Sequence, residues 1–105
     1  MLTRPEVTAA ATINEAALPG VPRAVERAGL VIPARFSIAG VAARHWAEQF
    51  RPQLTAADVT AVEMGAIAER FLIERIAKPD TPPKQQLLTP PISLRSSTGP
   101  AGTPR

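Results

Sequence analysis

The run from residue 59 to residue 76 restricts the fold of this 105-residue chain more than any other feature. On a helical wheel, Val59, Val62, Met64, Ala66, Ile67, Phe71, Leu72, Ile73 and Ile76 line an apolar arc of roughly 280°. Glu63, Arg70 and Glu74 share one narrow polar stripe, and Glu69 interrupts the apolar side. A helix apolar nearly all round has to be buried nearly all round. Ala57, Ala61, Gly65 and Ala68 add a strip of small residues that admits another backbone; Gly65 otherwise costs about 1 kcal/mol relative to Ala. Upstream, Pro52 stops the preceding segment. Thr55 and Asp58 have the spacing of a capping box, and Leu54 and Val59 suit its hydrophobic staple. The pattern predicts a helix over 55–78.

A second helix is predicted over 36–50, where Ile38, Ala42, Trp46 and Phe50 recur every four residues with Val41 beside them. Arg44 and Glu48 lie off that stripe and can pair at i, i+4. The expected fold is therefore all-α, a helical hairpin (36–50 and 55–78) within a core module at 34–78. The first helix covers only one side of the second. Copies of the long helix are expected to complete the burial in a homo-oligomer. The interface would comprise Val59, Val62, Gly65, Ala66, Ala68, Leu72, Ile73 and Ile76. N-terminal helices folding back are the alternative cover.

The flanks are read from their breakers. Residues 1–33 hold an Ala-rich helix at 7–18, ended by Pro19-Gly20, and two helical turns at 22–29 with Pro22 at the start and Gly29 past the end. Two short helices about a Gly turn raise a helix-turn-helix DNA reader as an alternative. Its candidate DNA contacts are Arg23, Arg27 and Arg35. Residues 79–105 carry prolines at 82, 83, 90, 91, 100 and 104 and read as a disordered tail. Within it, Leu87, Leu88, Ile92 and Leu94 flank a Pro-Pro step and form a candidate docking segment for a partner.

Composition removes several classes of function. Residues 1–80 balance nine Lys+Arg against nine Asp+Glu, so the net charge of +3 resides in Lys84, Arg95 and Arg105. Three dispersed cations are a poor nucleic-acid footprint. With no cysteine there is no disulfide and no thiolate chemistry. The single histidine, His45, has no metal-ligating companions and reads as a surface or packing residue. No phosphate loop, metal cluster or nucleophile–base set is present, so no enzyme, cofactor or metal is expected. No apolar run spans a membrane, and the N-terminus lacks a secretory pattern, which places the protein in the cytoplasm of a bacterial host.

Residues 34–77 resemble the helical core of small terminase subunits from tailed phages and phage-derived particles. The likeness lies in a Trp-bearing helix (Trp46), a proline step, Leu54-Thr55-x-x-Asp58 and a long Ala- and Glu-containing helix. It implies a ring-forming, non-catalytic DNA-packaging component that docks on a large terminase ATPase–nuclease, with the segment at 87–94 as the docking tail. An accessory helical subunit of a larger complex is the remaining alternative.

Overall fold

The computed structural model describes residues 6–101. It is an α/β structure, not an all-α one. In chain order the elements are β1 (Ala9–Thr12), a 3-10 helix (Glu15–Gly20), α1 (Val21–Arg27), β2 (Ser37–Ala42), α2 (Arg44–Gln49), β3 (Thr55–Asp58), α3 (Ala61–Ala77) and β4 (Ile92–Ser93). The four strands form one mixed sheet in the order β1-β2-β3-β4. β1 and β2 pair in parallel, as do β2 and β3, whereas β4 runs antiparallel to β3. The chain divides into two compact units, one of residues up to 59 together with 91 onward, the other of residues 60–90.

The expected hairpin fails for identifiable reasons. The four-residue recurrence of Ile38 and Ala42 fits a helix, but four is also a multiple of the strand period of two. In β2, Ile38, Gly40 and Ala42 are buried on alternate positions, so the strand reading wins. The second half of the stripe does become helical: α2 carries Trp46 and buries Ala47. Thr55 and Asp58 cap nothing. They lie in β3, where both are buried and committed to tertiary hydrogen bonds. α3 starts six residues beyond the expected cap, and Thr60 makes no side-chain capping bond. Leu54, expected as a staple, is fully buried in the core with Leu18, Ile38, Ala42, Ala47 and Ala56.

The Ala-rich run at 7–18 is strand β1 and then the 3-10 helix, because pairing with β2 overrides the intrinsic helix preference of alanine. Asn14 starts the 3-10 helix, its Oδ1 accepting from the Ala17 amide at 3.1 Å. Pro22 and Gly29 punctuate α1, with Gly29 in the left-handed region at φ 70°. A strand and a 3-10 turn in place of the first helix leave no helix-turn-helix.

The segment after Pro91 is no disordered tail within the described residues. Ser97 is fully buried. Its hydroxyl accepts from the Thr55 amide at 2.8 Å and donates to the Ile38 carbonyl at 2.5 Å, tying β3 and β2 to the segment. The Arg95 guanidinium donates to the Leu54 carbonyl at 2.8 Å and lies 3.5 Å from Asp58 Oδ1, while Ser93 Oγ donates to Asp58 Oδ2. Prolines at 90 and 91 stop helix but leave an edge strand free to begin at Ile92. Arg105 and the extreme N-terminus lie outside the described residues.

The unit at 60–90 is built on α3, none of whose residues is buried. Glu74, on the polar stripe, is bound by the Lys84 ammonium. That ammonium also sits 5.5 Å from the Phe71 ring centre, and Arg75 donates to the Thr81 carbonyl at 3.0 Å. Among the described residues no helix is long and apolar enough to cross a membrane.

Candidate ligand-binding edge of the sheet

Three adjacent parallel strands bring their carboxyl ends to one edge, the position at which open α/β sheets receive ligands. Ile13, Asn14 and Glu15 follow β1, Ala43 to Trp46 follow β2, and Val59 follows β3. The loops are pinned to one another. Glu15 Oε1 accepts from the Ala43 amide at 2.5 Å, and the Val59 amide donates to the Ala42 carbonyl at 3.2 Å. The strands can pack this closely because of Gly40: a Cβ there would stand 2.5 Å from Thr12 Oγ1 and 3.3 Å from Leu54 Cδ2. Thr12 Oγ1 is itself buried and has no hydrogen-bond partner among the described residues.

Beside this edge the 3-10 helix and α2 enclose an open groove of about 700 Å³ lined by Glu15, Leu18, Pro19, Trp46, Phe50 and Arg51, among others. Trp46 is 50% exposed, and the His45 ring is tilted against it at 5.5 Å. Small-molecule sites combine such apolar and aromatic walls with a few polar groups. Glu15 and Arg51 supply polar groups among the groove's lining residues, while Asn14, whose Oδ1 accepts from the Ala17 amide, lies in the loop after β1 next to Glu15. No group of three or more His, Cys, Asp or Glu side chains that could hold a metal ion occurs among them.

Residues 1–98 match the periplasmic binding protein-like domain. The chain belongs to that family. Among solved structures it is similar to a LacI family transcriptional regulator from Enterococcus faecium with bound ribose, at 28% identity and a TM-score of 0.79 over 90% of this chain and 36% of that one. It is also similar to the transcription regulator CcpA of Lactococcus lactis, at 27% identity and a TM-score of 0.77 over 88% of this chain and 34% of the other. The chain thus spans about a third of the length of these relatives. No curated protein matches it.

These matches overturn the likeness to small terminase subunits, and the packaging role and large-terminase partner fall with it. In Leu54-Thr55-x-x-Asp58, Leu54 is a core residue and Thr55–Asp58 is the whole of strand β3, not a helix cap. Of the residues singled out in the sequence, the proposed interface residues other than Val59 all fall on α3, in the unit at 60–90. Arg23 and Arg27 are exposed on α1 and Arg35 is exposed in the loop after it. Leu87, Ile92 and Leu94 are exposed, and Ile92 lies in β4. The loop residues Asn14, Glu15 and Ala43 escaped notice because the strands that align them were read as helices. The usable signal was Asn14, an N-cap residue immediately after a short run rich in Ala and Thr.

Proposed function

We propose that this chain is part of the ligand-sensing portion of a LacI-type transcription regulator. The carboxyl edge of its sheet forms one wall of a site for a small polyhydroxylated ligand of the sugar class. The observation that carries this reading is the match of this parallel sheet, over 90% of the chain, to a regulator solved with ribose bound. Asn14 donates to a ligand hydroxyl, and the half-exposed Trp46 offers an apolar face to the ring. The role is binding without catalysis, in the cytoplasm of a bacterial cell, and no base-reading element is assigned to this chain. Periplasmic binding proteins close around ligands by hinge motion. A single wall therefore binds more weakly than a closed two-walled site.

Titration calorimetry of the chain with ribose and a panel of pentoses and hexoses tests this. Saturable binding of at least one sugar is expected, and Asn14→Ala weakens it by up to about tenfold, the loss of one hydrogen bond. A chain saturated by none of them contradicts the reading.

A further inference from the structure

The end of α3 builds a cavity that shares no residue with the ligand edge. The helix closes at Ala77, and residues 78–84 fold back along its last turns. Three contacts hold that return. Thr81 Oγ1 donates to the Lys78 carbonyl at 2.8 Å, and the Arg75 guanidinium donates to the Thr81 carbonyl. The Lys84 ammonium reaches back to Glu74 and to the face of the Phe71 ring. Between helix and returning segment lies a cavity of about 430 Å³, within the range of small-molecule sites.

Its walls divide by chemistry. Phe71, Ala77 and Pro82 give an apolar floor, and Arg75, Lys78 and Lys84 bring three cations to the same space. Glu74 is the one carboxylate on the wall, and Lys84 binds it. Among the described residues, the side chains of Arg75 and Lys78 have no carboxylate partner. Two uncompensated like charges in one cavity repel each other, and low-dielectric walls focus their field on whatever enters. Arg75 uses one N–H on the Thr81 carbonyl, so most of its five donors remain for a ligand.

We propose that this cavity binds a small organic oxyanion, a carboxylate or phosphate monoester carrying an apolar ring. The charged group sits between Arg75 and Lys78, where charge-assisted hydrogen bonds are strongest, and the ring rests on the Phe71 floor. Cations in a last helical turn also answer the negative end of the helix dipole. That role requires neither a cavity nor an apolar floor, and both are present here. The cavity lies wholly within the unit at 60–90, so the inference does not depend on the sugar reading.

Amide NMR titration of the full chain with benzoate and with phenyl phosphate tests it, with inorganic phosphate and benzyl alcohol as comparators. Saturable shifts clustered at residues 71–84 are expected with at least one aromatic oxyanion, and the tighter of the two identifies the charged group. Inorganic phosphate lacks the ring and benzyl alcohol lacks the charge, so each is expected to bind about tenfold more weakly or not at all. Lys78→Gln removes a side chain that holds no partner in the fold and is expected to weaken binding by about tenfold. Phe71→Leu weakens the aromatic probes and leaves inorganic phosphate unchanged, while Arg23→Gln on α1 changes nothing. Inorganic phosphate binding as tightly as the aromatic probes would mark an adventitious ion only and overturn the proposal. Shifts that survive Lys78→Gln undiminished overturn it, and so does the absence of saturable shifts at 71–84 with either aromatic oxyanion. Sugar-induced shifts at Asn14 and Ala43 are read on different residues, so either proposal can fail without the other.

Discussion

Gly40 is where one missing side chain decides the packing of the whole edge. Its Cα–H faces Thr12 Oγ1 so closely that even a methyl group forces a shift. Gly40→Ala is expected to cost about 1–3 kcal/mol by overpacking, read as a lowered midpoint in urea; an unchanged midpoint would mean that Thr12 simply rotates away. Ser97 is the reverse case, a small polar group that cannot be spared. Ser97→Ala leaves the Thr55 amide without its acceptor in the interior. That should destabilise the sheet unit by about 1–3 kcal/mol, with a smaller loss for Ser97→Thr if the hydroxyl keeps its place. On α3, hydrogen bonding by the Lys84 ammonium, helped by the charges of Lys84 and Arg70, holds the Glu74 carboxyl below the ordinary carboxylate range. A depressed carboxylate contributes stability above its unfolded pKa and loses it as pH falls through the folded one. NMR titration should therefore show the Lys84–Glu74 contact persisting at neutral pH and lost only in acid below the usual Glu range. Lys84→Met should return Glu74 toward ordinary behaviour, and a titration unmoved by that change would refute the cause.

Among the elements, those defined by backbone punctuation were legible in the sequence and those defined by pairing were not. Pro22 and Gly29 mark α1 because fixed φ and positive φ are properties of single residues. α3 was legible through its long apolar periodicity, though not its start, since Thr55 and Asp58 carry capping chemistry that tertiary bonds from Arg95 and Ser93 consume. β1, β2 and β3 have four, six and four residues. Strands so short, rich in alanine, carry almost no local preference, and only the parallel register between them makes them strands. The candidate site was invisible for the same reason. Glu15 and Ala43 stand 28 positions apart in the chain and meet, through the Ala43 amide donating to Glu15 Oε1, only when β1 pairs with β2.

For the molecule as a whole, the sequence pointed to the right anomaly and the wrong explanation. An apolar helix in search of a cover was read as a ring-forming subunit, whereas the family match places the chain among periplasmic binding protein-like domains whose relatives are about three times as long. The unit with the sheet carries the proposed ligand edge, and the unit with α3 carries exposed apolar residues. The central claim concerns that edge. It is tested most directly by mapping amide chemical shifts during titration with ribose and related sugars. Saturable shifts clustered at Asn14, Glu15, Ala43 and the Trp46 indole are the predicted result. Shifts confined to residues 60–90, or none at any sugar concentration, would contradict it.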